Sequence, residues 1–430
     1  MSEDRLSIES AVISDPAGVI VFEIQNSISD MEIFEHLDKP YLTGQVTFLD
    51  SYGVLDKMQF KGVEKFEVEL AYPYLEDEPV RKTFIIDRII NTTKKNDKAE
   101  LITFHIIEEH GFMSTFLNVN KAYEGSSRQI VEKIMLDYFE DYSLSEEDVD
   151  EMKDNMKVVV PNMTPLEACN WIKDRTTSIS GTPYYFFSTL SNLKTLHFLS
   201  LSTMLNNQNS DTREYYYSQS LSGAGDVTDR PYVIEDYRSN NNGDISNLID
   251  KSLIGSEYGV INTANSEVRK IPFDSVKKFE STPTLQELSK DSFIYNTDYT
   301  YKDKRLNEIA SRKTFTVMTG QSYPDHRSFR ETSSPSNAFW AKSLRSILTS
   351  TPIDIAVSGQ TFLDSQINKS IGNLIKIRFL NNNVSSESND LEEVTDKIKS
   401  GRHMIYAARH IIRKEKYDVV LSCVKLENLK

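Results

Sequence analysis

Val63-Glu-Lys-Phe-Glu-Val-Glu-Leu-Ala-Tyr72 alternates apolar and polar side chains. Phe66, Val68 and Leu70 fall on one face and Glu67 and Glu69 on the other, which predicts a strand with one buried and one wet face. Working outward, Thr43–Leu49 (TGQVTFL) follows Pro40 and reads as another strand. Toward the N-terminus, Ala11–Ile13 and Val19–Ile24 are short β-branched runs around a Pro16-Ala17-Gly18 turn. Toward the C-terminus, Thr83–Thr92 and Ala99–Ile107 predict two strands joined by the polar turn Lys94–Lys98. Strands punctuated by turns at this spacing imply a closed or sandwiched antiparallel sheet. Asp50–Met58, between them, predicts a short helix with Asp50 or Ser51 as N-cap.

The period changes after about residue 120. Ser126 followed by Gln129 fits a capping box, and Ile130, Val131, Ile134, Met135, Tyr138 and Phe139 recur behind it at helical spacing. The acidic stretch Glu140–Asp154 reads as a solvated helix or loop. Thr164, Pro165 and Glu167 mark a second helix start, with Leu166, Cys169 and Ile172 or Trp171 facing inward. Tyr184–Ser188 and Thr195–Leu201 predict a hairpin around Leu190-Ser191-Asn192. Together these make a compact α/β unit. Residues 205–265 are rich in Asn, Ser, Gly and Asp, with only Tyr232–Tyr237 strand-like, which implies long surface loops. Helices are expected at about 284–291, 303–313 and 336–348. The C-terminal part returns to strand at Ile353–Val357, Leu374–Phe379, His403–Ile412 and Tyr417–Val424, with a polar loop at Asn381–Ser400.

At about 150 residues per domain, 430 residues imply two to four domains. Such a chain buries roughly three quarters of its unfolded surface and needs no disulfide or metal staple. The formal charge is 49 − 64 = −15, which argues against a surface built to grip nucleic acid. Hydrophobic and charged residues at 39% and 26% are those of a polar globular protein. Cys169 and Cys423 stand alone and read as buried free thiols. The acidic start MSEDRLSIES has no secretory character, and no apolar run reaches the roughly 18 residues of a membrane span. Folding in a cytosol-like compartment is expected.

The sequence carries no phosphate-cradling glycine loop. In Gly255-Ser-Glu-Tyr-Gly259 the serine is misplaced for a nucleophile elbow. His105 and His110 lie on opposite sides of a strand-end turn. His403 and His410 are an odd number of residues apart, so one continuous strand would point them to opposite faces. Asn240-Asn241-Asn242-Gly243-Asp244 would put Arg238 at the first ligand position of a calcium loop, which excludes an EF-hand. Glu108-Glu109 and Glu392-Glu393 read as solvated, diverging carboxylates rather than paired acids. The aromatic runs Tyr215–Tyr217 and Tyr184–Phe187 read as core or interface packing. No catalytic, cofactor-binding or metal-binding residue is assigned, and no cofactor is expected.

Two segments resemble a known family. The first is Glu32-Ile-Phe-Glu-His-Leu-Asp-Lys-Pro-Tyr-Leu-Thr-Gly-Gln-Val-Thr-Phe-Leu-Asp50, continuing to Gly53-Val-Leu and Gly62-Val-Glu-Lys-Phe-Glu-Val. The second is Ser400-Gly-Arg-His-Met-Ile-Tyr-Ala-Ala-Arg-His-Ile-Ile with Lys416-Tyr-Asp-Val-Val-Leu, together with Ile355-Ala-Val-Ser-Gly upstream. This ending is similar to the closing hairpin of the baseplate hub proteins of contractile-tailed bacteriophages, a family related to the spike hubs of contractile injection systems. The order of segments resembles that family over most of the chain, except in 205–350.

The resemblance implies an α+β, mainly β fold: two tail-tube-like antiparallel β-barrels with an inserted α/β domain. Residues 1–111 would form part of the first barrel and 112–205 the insertion. Residues 206–350 would be a loop-rich stretch contributing to the second barrel, and 351–430 its closing strands. It further implies a non-enzymatic homotrimer joining the six-fold tail tube to the three-fold central spike and lining part of the genome-ejection channel. Partners would be the spike, tail tube or tube-initiator proteins, baseplate wedge proteins and the tape measure protein. No specific nucleic-acid binding and no stable membrane binding are expected. The place would be the virion tail baseplate, assembled in the bacterial host cytoplasm. A tail-associated cell-wall hydrolase or a carbohydrate-binding β-protein is the alternative. Glu67 and Glu69 are candidate channel-wall carboxylates, and Phe66 or Phe104 candidate trimer contacts.

Overall fold

The computed structural model describes residues 6–71, 79–96, 99–146, 155–191, 194–206, 214–217, 232–239, 245–250, 256–262, 266–273, 278, 300–305, 308–309, 312–318, 335–349, 352–359, 371–380, 395–396, 399–414 and 416–427. The molecule is mainly β. Its dominant feature is a sheet of 13 strands among the described residues. These are β1 (Ser7–Ser14), β2 (Val21–Glu23), β3 (Ile28–His36), β4 (Thr43–Asp50), β5 (Glu64–Ala71), β6 (Val80–Asn96) and β7 (Ala99–Glu108). From later in the chain come β8 (Glu214–Tyr217), β9 (Asp236–Ser239), β10 (Pro352–Ser358), β11 (Leu374–Phe379), β12 (Gly401–Arg413) and β13 (Lys416–Glu427). The path runs β9-β10-β13-β12-β3-β4-β7-β6-β5-β1-β2, with β11 on the free half of β12 and β8 beside β11. All pairings are antiparallel except β8–β11.

Period-two patterning builds this sheet. In β5, Phe66, Val68 and Leu70 are buried while Lys65, Glu67 and Glu69 point away. β7 buries Ile102, Phe104 and Ile106 in the same way. Each such side chain contributes about 1.5–3 kcal/mol by leaving water. Phe66 and Phe104 are therefore interior residues of this chain, not surface contacts for a neighbour. Gly44 in β4 is required by close approach: a Cβ there would lie 2.4 Å from the Glu32 carbonyl oxygen.

The first and last parts of the chain meet in one ladder. β12 pairs with β13 along its length, but its other edge changes neighbour. Gly401–Met404 pair with β11, and Ala407–Arg413 pair with β3. A bulge between Ile405 and Ala407 marks the change. It also resets the alternation. His403 and His410, expected on opposite faces, are consequently both buried.

Local signals predict the helices unevenly. Ser126 and Thr164 each close a complete capping box, on helices Ser127–Tyr138 and Pro165–Lys173. The helix expected at 336–348 is Pro335–Leu348. The helix at Asp50–Met58 shortens to Val54–Met58, with Gly53 as N-cap. Asp50 still serves its N-terminus, accepting from the backbone of Tyr52, Gly53 and Val54 at 2.9, 2.9 and 2.7 Å. Among the described residues of 303–313, no α-helix is found. Thr300–Tyr301 and Lys304–Arg305 form a small hairpin, and Arg312–Met318 is a strand paired in parallel with Ser256–Asn262. Partner strands distant in sequence override the local helical spacing here. Ser256–Gly259, the serine-glycine stretch, lies in that strand. The 284–291 helix, Asn240–Asp244 and Glu392-Glu393 lie outside the described residues.

Between β7 and β8, Ser127–Tyr138 and Pro165–Lys173 pack with the pairs Ala122–Ser126/Asn155–Val159 and Tyr184–Phe187/Thr195–Ser200. This unit has its own apolar core, including Ile130, Ile134, Leu166, Ile172 and Phe186. None of its strands joins the 13-stranded sheet. Tyr184–Phe187 is the wall between two cores. Tyr184 and Phe186 point into the unit's core, while Tyr185 and Phe187 belong to the core under the large sheet.

Candidate functional site: a buried polar joint

The turn from β3 to β4, Glu35 to Leu42, is where the three parts of the molecule converge. Three carboxylates hold it there. Glu35 is buried and accepts a hydrogen bond from the Leu190 backbone N–H, in the loop after the wall strand. His410 Nε2 lies 3.4 Å from the Glu35 carboxylate, and His410 Nδ1 is 2.8 Å from the Tyr417 hydroxyl. β3, β12, β13 and the α/β unit thus meet at one histidine.

Asp38 forms the second clasp. Lys173, at the end of its helix, donates to it at 3.1 Å, and the Tyr406 hydroxyl donates from the β12 bulge. Burial pushes the Asp38 carboxyl up, but the Lys173 ammonium, the Tyr406 hydrogen bond and Arg345 together hold it below its ordinary value. Arg345, on helix Pro335–Leu348, also pairs with Asp174 at 2.7 Å and donates to the Tyr184 carbonyl.

Glu108, at the end of β7, is the third. It accepts from Lys82 Nζ at 2.9 Å, the Leu42 N–H at 2.9 Å and the Ser188 hydroxyl at 3.2 Å. Burial raises its pKa, but Lys82, His110 and the Leu42 hydrogen bond bring it below the ordinary value. His110 donates from Nε2 to the Pro40 carbonyl at 2.7 Å, and burial lowers its pKa. Glu108 is therefore not solvated, contrary to expectation. Glu109 is, and it pairs with Lys65 at 3.0 Å with both side chains over a third exposed. The sequence did hold a signal for the buried pair: Lys82 and Glu108 occupy the inward positions of β6 and β7.

Glu35, His410 and Tyr417 have the order of an acid–base relay. At 2%, 0% and 8% exposure they face neighbouring strands, not a cleft. The arrangement favours one orientation, because repacking buried polar groups leaves them without partners. Cys169 and Cys423 are buried free thiols, with burial pushing both pKa values up. Among the described residues, no group of three histidine, cysteine or carboxylate side chains is placed to hold a metal ion. No helix among them is long and apolar enough to cross a membrane.

Glu67 and Glu69 lie on the outer face of β5, bordering a cleft shared with Arg81, Lys82, Tyr142 and Lys194. Arg81 pairs with Glu69 at 3.2 Å, so this face is of mixed charge.

No protein-family model matches the sequence, and a sequence search of curated proteins finds no match. Solved structures do share the fold. The tail protein from Neisseria meningitidis MC58 superposes with a TM-score of 0.53 at 12% identity, over 98% of this chain and 96% of that one. The 43 kDa tail protein of prophage MuSo2 from Shewanella oneidensis gives 0.51 at 10% identity, over 98% of this chain and all of that one. The likeness runs end to end and is one of fold.

Proposed function

We propose that this chain is a structural hub of a phage tail baseplate, a homotrimeric adaptor joining a six-fold tail tube to a three-fold central spike and lining part of the genome-ejection channel. The observation that carries the reading is the single sheet that unites N- and C-terminal strands around a separate α/β unit, in a fold that matches two tail proteins over nearly their whole length. The domain plan that goes with it is a first barrel from 1–111, an insertion over 112–205, a loop-rich contribution from 206–350 and closing strands in 351–430. The buried joint supports a mechanical role, since it locks the three parts in one orientation.

Proposed partners are the spike, the tail tube or its initiator, wedge proteins and the tape measure protein, in the virion. The reading assigns no catalysis. The test is location and stoichiometry. Antibodies to the chain should decorate the distal end of purified tails, and cryo-EM of the baseplate should show three copies around the axis. Absence from the tail, or six copies in one ring, would overturn it.

A further inference from the structure

A cleft of about 310 Å³ lies where β5 and the start of β6 face the α/β unit. Glu67, Glu69, Arg81 and Lys82 line it from the sheet, with Glu108 and Glu109 at the end of β7 and Tyr142 and Lys194 from the unit. Each cation of the wall has a carboxylate of its own. Arg81 pairs with Glu69 at 3.2 Å, Lys82 with Glu108 at 2.9 Å and Lys194 with Asp141 at 2.9 Å. Lys65, just outside the wall, takes Glu109 at 3.0 Å. Glu67 is left over. It is exposed, its ladder neighbours are Val12 and Thr83, and its carboxylate enters no ion pair or hydrogen bond among the described residues. Tyr142 supplies an aromatic wall. His110 and Phe139 hold its ring, at 4.4 and 6.3 Å between centroids. Burial, and then the charges of Glu108, Glu109 and Asp141, push its hydroxyl pKa up, so the field at this ring is negative.

We infer that this cleft receives an arginine side chain presented by a partner protein, with the guanidinium on the Tyr142 ring and paired with Glu67. The volume is at the lower end of the range for small-molecule sites, roughly 300–1,000 Å³, and suits one long side chain better than a whole free ligand. An unmatched carboxylate beside a fixed aromatic ring attracts a cation, and the net charge of −15 draws basic partners from a distance. An anion would find no spare cation here, because Arg81, Lys82 and Lys194 are each already matched. Guanidinium fits better than ammonium. It is planar, so it lies on a ring while its edge donors reach a carboxylate, and its weaker hydration makes leaving water less costly.

The inference goes beyond the hub reading and does not depend on it, since it needs only a partner with an exposed arginine. The probes are three blocked tripeptides, glycine-X-glycine with X arginine, lysine or the uncharged isostere citrulline, titrated against the purified full-length chain by saturation-transfer NMR. The arginine peptide should bind most tightly, the lysine peptide less so and the citrulline peptide least, with salt weakening the first two. Glu67→Gln, on a wet face, should keep the wild-type melting temperature and weaken arginine binding about two- to fivefold. Tyr142→Leu should weaken it by about two- to fivefold, while Tyr142→Phe, which keeps the ring, should bind nearly as well as wild type. Glu23→Gln, which removes an exposed carboxylate on β2 outside the cleft, should leave binding unchanged. Citrulline binding as tightly as arginine, indifference to Glu67→Gln, or an equal loss from Glu23→Gln would each overturn the inference. A lysine peptide that matches arginine would overturn the choice of guanidinium.

Discussion

β5 and the wall strand Tyr184–Phe187 are both short, β-prone and central, yet they bury their side chains differently. In β5 only alternate residues enter the core, and the others meet water or ion partners such as Arg81. In Tyr184–Phe187 all four are buried, because one face packs on the large sheet's core and the other on the α/β unit's. A strand between two cores loses its alternation of polarity and becomes a continuous apolar run. The difference teaches where each unit ends. A wet face marks the outside of the molecule, and a doubly dry strand marks a seam within it.

The largest test of this contrast is truncation on both sides of the seam. Phe186→Ala and Phe187→Ala should each cost about 3–5 kcal/mol in urea unfolding, whereas in β5 only Phe66→Ala should reach that size. A near-neutral Phe186 or Phe187 variant would break the two-core description. Glu108→Ala should cost about 3 kcal/mol or more, because it strands the Lys82 ammonium in the interior. Lys82→Met/Glu108→Leu should recover much of that loss, and a double variant as unstable as the single would contradict the stranded-charge account. Tyr406→Phe should cost about 1–2 kcal/mol by removing one donor from Asp38, which keeps Lys173. A cost near zero would make the bulge irrelevant to the Asp38 clasp.

Acid should loosen the seam before it loosens β5. His403 is held down to about 3 by burial, from an ordinary 6.5, and His36 and His110 are lowered by burial too. These groups take up protons less readily in the fold than in the unfolded chain. Stability should therefore fall as pH drops below about 6.5. Asp38 and Glu108 have lowered folded pKa values, so their contribution is full above the ordinary carboxylate range and is lost as pH falls through the folded values. Melting temperatures from pH 8 to 4 check this, and His403→Gln should flatten the upper part of the curve. A flat wild-type profile would contradict it. The smallest effect belongs to the wet face of β5: Glu69→Gln, facing a largely exposed Arg81, should change stability by under about 0.5 kcal/mol.

The alternation in β5 and the boxes at Ser126 and Thr164 were legible in the sequence because each depends on residues a few positions apart. The same locality made 303–313 read as helix, where Arg312–Met318 instead takes its partner from Ser256–Asn262. Glu108 read as solvated beside Glu109, although its position on the inward face of β7 pointed to a buried partner. Lys82 is 26 residues away and Ser188 80, and nothing local announces either.

By itself the sequence determined the mainly β character, the helical interruption after residue 120 and the absence of familiar catalytic motifs, since period, capping and motif are properties of neighbours along the chain. Only the tertiary structure decided that β3 pairs with β12, that the bulge at Ile405–Ala407 turns both His403 and His410 into the interior, and that Glu35, Asp38 and Glu108 converge on one joint. Those outcomes depend on register between segments separated by up to several hundred residues. A one-residue shift in register exchanges buried and exposed faces, and that choice is made by the packing of the whole core.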